Sequence, residues 1–240
     1  MSIVRYDIVF LDADETLFDF SKAEGFALRE AFALRGIAVS DYTVAEYDRI
    51  NKGLWKAFER GETTQEKLKT DRFRILFSGM GLDLDAAGFG HDYLELLSRG
   101  SFLFDGAEEL CEYLARNCRL VLLTNGIARV QRPRFEVSPI LKYFEAVVIS
   151  EEAGASKPDP AIFLHACERL GIFSPGPEEK SRMIMVGDST SSDIKGGIDF
   201  GIDTCWVNLR GVDDAEGWNA GAKHVIHALE ELKAILQTRA

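Results

Sequence analysis

Asp12 and Asp14 stand two residues apart, directly after the short apolar run Tyr6-Asp7-Ile8-Val9-Phe10-Leu11. A buried strand that ends on such a pair can aim both carboxylates into one opening. One carboxylate can attack an electrophile while the other manages protons, provided their environments differ. In isolation the pair reads equally well as two solvated turn aspartates. A second cluster shifts that balance. Val186 ends another apolar run, followed by Gly187-Asp188-Ser189-Thr190-Ser191-Ser192-Asp193. Asp188 sits at a strand end as Asp12 does, and Asp193 falls near the start of the next helix, where Ser191 or Ser192 could serve as a simple N-cap. Carboxylates gathered in this number repel one another unless a cation sits among them. An all-oxygen set suits a hard ion such as Mg²⁺.

Two groups suited to an anion complete the set. Thr124-Asn125-Gly126 follows the apolar run 120–123. The Thr124 hydroxyl and the neighbouring backbone N–H groups can cradle phosphate oxygens, with Gly126 permitting close approach; the plain alternative is an ordinary turn. Lys157 lies in Ala155-Ser156-Lys157-Pro158-Asp159-Pro160, just ahead of a helix. There it can offset charge on a phosphoryl group or hold a nucleophile ionised.

These residues need elements to position them. Strand-length runs at 6–11, 120–123, 146–149, 183–186 and 204–207 alternate with helical patterns at 107–116, 128–137, 160–170, 192–200 and 228–236. That alternation implies βαβ units and a mainly parallel sheet, whose carboxyl edge is the usual ligand crevice. More than 100 residues separate the first two strand runs, far beyond a normal crossover. The excess looks helical, so residues 16–103 are expected to form an all-helical insert, with paired junctions near 17–21 and 101–105. All six prolines fall at or after Pro133, which leaves the insert free of helix breakers. Pro133 itself predicts a kink or a restart in the helix over 128–137. Gly196-Gly197 predicts close helix–sheet packing.

The chain has 240 residues, with 39 Asp and Glu against 28 Lys and Arg, for a net charge of −11. Residues 16–103 hold 14 acids and 12 bases, so nearly all the excess belongs to the remainder. Such acidity argues against polymeric nucleic acid as a partner, since polyanions select basic patches. It leaves room for a small anion held with the help of a metal. No apolar run reaches the ~18 residues of a membrane span, and residues 1–14 lack a secretory layout. Cys111, Cys118, Cys167 and Cys205 form no CxxC pair and read as free thiols, which points to the cytoplasm. His91, His165, His224 and His227 form no metal set, and Arg72 and Arg74 read as surface residues.

Phe10-Leu11-Asp12-Ala13-Asp14-Glu15-Thr16-Leu17, Leu123-Thr124-Asn125-Gly126, Lys157-Pro158 and Gly187-Asp188-Ser189-Thr190-Ser191-Ser192-Asp193 occur in that order on successive strand ends. Together they resemble the haloacid-dehalogenase-like hydrolase superfamily over essentially the whole chain. The resemblance implies a three-layer Rossmann-like α/β core at 1–15 and 104–240, with a helical cap inserted at 16–103. It implies Asp12 as a nucleophile forming an aspartyl-phosphate, and Asp14 as general acid and then base. Phosphate-binding would fall to Thr124, Asn125, Gly126 and Lys157. Mg²⁺, with Mn²⁺ able to substitute, would be held by Asp12, the backbone carbonyl of Asp14, Asp188 and Asp193, the last directly or through water. Dehalogenase members lack an acid at the position of Asp14, because halide leaves without a proton. An alkoxide needs one, so Asp14 favours phosphatase chemistry.

Leu17-Phe18-Asp19-Phe20, Asn51-Lys52-Gly53-Leu54-Trp55, Val148-Ile149-Ser150-Glu151-Glu152-Ala153-Gly154 and Cys205-Trp206-Val207-Asn208 look like the non-canonical pyrimidine 5′-nucleotidase branch. That likeness implies a nucleoside 5′-monophosphate substrate, with Phe18, Phe20, Asn51, Lys52 and Trp55 as candidates for contact with the leaving group. Trp55 reads alternatively as a cap core residue. A sugar-phosphate or phosphoglycolate-type phosphatase, a 2-haloacid dehalogenase and a non-catalytic phospho-aspartyl signalling or scaffold protein remain rival readings. A monomer or homodimer is expected.

Overall fold

The computed structural model describes residues 5–237, so the chain ends assigned above to the core at 1–4 and 238–240 lie outside the described residues. Strands β1 (Ile8–Leu11), β2 (Arg119–Thr124), β3 (Ala146–Ile149), β4 (Met183–Gly187), β5 (Asp203–Val207) and β6 (His224–Ile226) form one sheet, in the order β3-β2-β1-β4-β5-β6. Every neighbouring pair is parallel. Between β1 and β2 lie α1 (Phe20–Ala33), α2 (Asp41–Glu59), α3 (Gln65–Met80) and α4 (Ala86–Leu97), followed by α5 (Ala107–Ala115). Helix α6 (Ala128–Glu136) leaves β2, and α7 (Ser150–Ala153) and α8 (Pro160–Arg169) follow β3. Then come α9 (Pro177–Lys180), α10 (Lys195–Phe200), α11 (Ala215–Asn219) and α12 (Leu232–Gln237).

The period-2 alternation of the strands builds three layers. Val9 and Leu11 face α5 and α12, packing with Leu110, Leu114, Leu232 and Leu236. Ile8 and Phe10 face the opposite side, against Ile162, Phe163 and Ala166 of α8. Gly196 and Gly197 do pack closely. A Cβ on Gly197 would lie 2.5 Å from the Thr204 side chain, and one on Gly196 would lie 2.9 Å from Phe163.

The helical insert is an all-α cap with its own core, in which Phe32, Tyr47, Phe73, Phe77, Phe89 and Tyr93 meet as an aromatic cluster. Its helices begin where side chains satisfy their first free N–H groups: Asp19 for α1, Ser40 for α2, Thr64 for α3 and Asp85 for α4. The chain enters and leaves the cap through adjacent segments. The Asp19 N–H donates to the Phe102 carbonyl, and the Phe104 N–H to that of Leu17, both at 2.9 Å.

Four local expectations change. β6 is an additional strand, too short at three residues to show a period in the sequence. The pattern at 192–200 resolves into a wide turn over Thr190–Ile194 that runs into α10. Helix α6 runs through Pro133 without a restart. The N–H that proline lacks would have bonded the carbonyl of Arg129, an exposed residue, so water can satisfy that carbonyl. Arg72 is buried in the cap, not on the surface, whereas Arg74 is exposed. The four cysteines are free thiols, and no helix among the described residues is long and apolar enough to cross a membrane.

Candidate active site

Strand register brings the sequence-distant candidates together. Leu11 pairs with Leu122 on one side and with Val186 on the other. β2, β1 and β4 therefore end nearly level, and Thr124, Asp12 and Asp188 emerge on the same edge. Asp12 is locked there by its own N–H, which donates to the Val186 carbonyl at 2.9 Å. The turn Thr190–Ile194 folds Asp193 back over this edge, and the Ser189 N–H donates to Asp193 Oδ2 at 3.0 Å. Gly187 makes the fold-back feasible, since a Cβ there would stand 2.2 Å from the Asp193 carboxylate.

Asp12, Asp188 and Asp193 can each offer one oxygen, with all three oxygens within 4.8 Å of one another. Burial pushes Asp12 up to about 7, with Lys157 opposing and the carboxylates of Asp193 and Asp14 adding to the rise. Asp188 is likewise raised by burial and by Asp12, Asp193 and Glu15. Three anions held so close fit a divalent cation, and the donors are all hard oxygens. Asp193 Oδ1 is also buried and meets no well-aligned hydrogen-bond donor, although the Lys157 ammonium stands at ion-pair distance. The described histidines form no such group.

Lys157 is almost fully buried among these acids. Its Nζ donates to Asp12 Oδ1 at 2.5 Å and to the Leu123 carbonyl at 2.7 Å, and stands 2.7 Å from Asp193 Oδ1. Burial works against its charge, but the two carboxylates more than reverse this and lift its pKa above the ordinary lysine value. Asn125 holds Lys157 in place. Its side chain accepts from the Lys157 N–H and donates to the Lys157 carbonyl, both at 2.8 Å. One N–H of that amide is left over, so the Asn125 side chain and backbone both remain for an anion.

Thr124 Oγ1 accepts from the Gly126 N–H and from Gln131 Nε2, each at 3.1 Å. With both lone pairs used, its hydroxyl hydrogen is left to donate. Gly126 makes room for Gln131, because a Cβ there would fall 2.3 Å from the Gln131 amide.

Asp14 stands apart from the three-carboxylate group. Its Oδ1 accepts from Arg134 Nη1 and its Oδ2 from Gln131 Nε2, both at 2.7 Å. The sequence reading missed both partners. The available signal was position: Gln131 and Arg134 share the buried stripe of α6 with Val130 and Phe135.

A cavity of about 920 Å³ opens over this edge, roofed by the cap. Phe20, Asn51, Lys52 and Trp55 line it, whereas Phe18 does not. Phe18 is fully buried against Phe135, at a ring separation of 5.5 Å, and belongs to the core. Glu24 and Arg72 also line the cavity and were not anticipated. Both are buried, and Asn51 links them by donating to Glu24 Oε1 at 2.6 Å while Arg72 donates to its Oδ1 at 3.3 Å. Burial, with Asp48 adding, raises Glu24 to about 8 against the pull of Arg72 and Lys52. Arg72 Nε and Nη2 are buried without hydrogen-bond partners. Arg72 sits four residues from both Leu68 and Leu76 on the buried stripe of α3, which is the pattern that could have revealed it.

A parallel α/β core with clustered carboxylates at its strand ends, beneath an inserted helical cap, defines a magnesium-dependent phosphoric monoester hydrolase. The chain belongs to the haloacid dehalogenase-like hydrolases, whose family model matches residues 6–201. It is similar to YfnB of Bacillus subtilis, with 36% identity over 85% of each chain. The crystal structure of YfnB bound to magnesium superposes with a TM-score of 0.89 at 34% identity, covering 98% of this chain and 100% of that one. The pyrimidine 5′-nucleotidase YjjG of Escherichia coli is 32% identical over 95% of this chain and 98% of its own. The pyrimidine 5′-nucleotidase PynA of Streptococcus pneumoniae is 34% identical over 85% of this chain and 84% of its own.

Mg²⁺ is expected to stabilise the fold through the Asp12, Asp188 and Asp193 oxygens. At a hundredfold excess over its dissociation constant the gain is about 2.7 kcal/mol, seen as a rise in Tm. Asp188→Asn should remove most of that rise in a thermal melt with and without Mg²⁺. An undiminished rise in the variant would place the ion elsewhere.

Proposed function

We infer that this chain is a nucleoside 5′-monophosphatase with a preference for pyrimidines, built as a catalytic core at 1–15 and 104–240 and a cap at 16–103. The observation that carries this reading is the shared cavity. It joins the carboxylate cluster to a cap wall that offers aromatic faces (Phe20 and Trp55) beside the buried polar trio of Glu24, Asn51 and Arg72. Its size suits a nucleoside, and flat apolar faces with a few polar groups are what a base and ribose require. Two of the relatives reported above are named as pyrimidine 5′-nucleotidases, in line with this reading.

In the proposed reaction an Asp12 oxygen attacks phosphorus while the bond from phosphorus to the 5′ oxygen breaks. The leaving oxygen takes the bond pair and a proton from Asp14. Water then attacks the aspartyl-phosphate and gives a proton to Asp14, and the Asp12 carboxylate is released with inorganic phosphate. The Thr124 hydroxyl, Asn125 and Lys157 hold the phosphoryl oxygens, while the Gly126 N–H braces Thr124 Oγ1. The ion, once bound by Asp12, the Asp14 carbonyl, Asp188 and Asp193, supplies positive charge to offset the charge on the transferred group.

A kinetic panel tests the substrate assignment. Uridine, thymidine, cytidine and adenosine 5′-monophosphates are compared with a hexose phosphate and phosphoglycolate, each with Mg²⁺ and with chelator. The pyrimidine nucleotides should exceed the other esters in kcat/KM by about 10-fold or more. A hexose phosphate or phosphoglycolate leading the panel would overturn the nucleotidase reading.

A further inference from the structure

Arg134 contributes nothing to the surface: its side chain has 0% exposure. A guanidinium stays charged wherever it is placed, so burying it costs several kcal/mol unless its donors are matched. Two of the three guanidinium nitrogens are matched, and Nη2 is buried without a hydrogen-bond partner. Nη1 donates to Asp14 Oδ1 at 2.7 Å and to Gln131 Oε1 at 2.6 Å. Nε donates to the Gly100 carbonyl at 2.8 Å, and the guanidinium lies 5.4 Å from the Phe20 ring centre. The backbone carbonyl of Arg134 accepts from Ser101 Oγ at 2.8 Å.

These partners come from three places. Asp14 belongs to the turn after β1, Phe20 is the first residue of α1, and Gly100 and Ser101 lie where the chain returns from α4 to the core. One buried cation therefore touches the Asp14 carboxylate and both connections between cap and core. Gln131, three residues earlier on α6, takes the other Asp14 oxygen, so two donors from a single helix fix the direction of the carboxylate.

We propose that Arg134 is a positioning residue that orients the Asp14 carboxylate and ties that orientation to the placement of the cap. The proposal rests on the acid/base role given to Asp14 above. Cap movement that shifts Gly100 or Phe20 moves partners of the same guanidinium, so Asp14 is presented to the leaving oxygen only in the cap position that keeps this set together. Arg134 itself touches neither the phosphoryl group nor the carboxylate cluster.

The test uses a matched series of 4-nitrophenyl, phenyl and benzyl phosphates with Mg²⁺. These esters share a ring but differ in how much the departing oxygen needs a proton. Read in kcat/KM, which reports phosphoryl transfer to Asp12 and not hydrolysis of the shared intermediate, Arg134→Met should lose about 100-fold for benzyl phosphate and less than about fivefold for 4-nitrophenyl phosphate. Asp14→Asn should show the same pattern, and the double variant should be no worse than Asp14→Asn alone, because the two residues act as a unit. Independent losses that multiply in the double variant would overturn the proposal. So would an equal loss on all three esters in Arg134→Met while Asp14→Asn keeps its leaving-group dependence. If Asp14→Asn itself lowers kcat/KM equally for the three esters, it is the acid/base reading of Asp14 that fails. Arg134→Lys provides the measurement should the methionine variant not fold. A lysine retains the charge but cannot reach Asp14 and Gly100 with a rigid fork, so its losses should still grow from 4-nitrophenyl to benzyl phosphate. A flat response in that variant would also overturn the proposal.

Discussion

Asp12→Asn should abolish turnover, lowering kcat by at least about 10⁴-fold, the scale on which removal of a covalent nucleophile acts. The amide keeps the size of the carboxylate but is a poor nucleophile. The fold should survive the change. Asp12 is held by its backbone N–H on the Val186 carbonyl, which the substitution leaves intact. The neutral side chain also relieves repulsion among the three acids that share the site. Steady-state assays with a nucleotide and with 4-nitrophenyl phosphate check the first part, and circular dichroism and a thermal melt check the second. Near-normal activity in clean Asp12→Asn protein would remove Asp12 from the chemistry.

Lys157→Met is expected to cost both rate and stability. The lysine lies at ion-pair distance from Asp12 and Asp193, and all three side chains are largely buried. Removing one partner of a buried ion set leaves uncompensated charge, worth about 3–5 kcal/mol of folding stability in the metal-free protein. Loss of a cation aimed at the phosphoryl oxygens should lower kcat by about 10²–10³-fold. The same change removes a positive charge that competes with the metal, so Mg²⁺ should recover more of the lost stability in the variant than it adds to the parent. Denaturant melts at two Mg²⁺ concentrations read this directly. Equal stability of parent and variant without metal would show that the lysine does not neutralise the cluster.

Much of the architecture could be read from the chain because strong local signals agreed. β1 and β4 are apolar runs that stop abruptly at Asp12 and at Gly187-Asp188, and parallel strands that stop together place their ends together. The cap was visible as a long proline-free helical stretch with nearly balanced charge. The residues that stayed hidden are charged groups buried by tertiary context. Arg72 and Arg134 carry the same side chain as exposed neighbours such as Arg74 and Arg129, and only the helix face they occupy distinguishes them. Glu24 was missed for the same reason, since its environment is assembled from α1, α2 and α3. Phe18 shows the converse. Its place beside Phe20 suggested a leaving-group contact, but the segment 17–19 pairs with the returning chain at 102–104 and turns Phe18 into the core.

Chemical capture of the phosphorylated enzyme tests the central claim most directly. The Asp14→Asn variant, mixed with 4-nitrophenyl phosphate and Mg²⁺ and quenched in acid, should accumulate an acyl phosphate, because that leaving group departs without a proton while the group proposed to activate water is missing. Borohydride reduces an acyl phosphate to an alcohol and would convert that aspartate to homoserine, which peptide mass spectrometry locates. The predicted result is homoserine at position 12, dependent on both substrate and Mg²⁺. Homoserine at another position, or none in a variant still turning over substrate, would contradict covalent catalysis by Asp12.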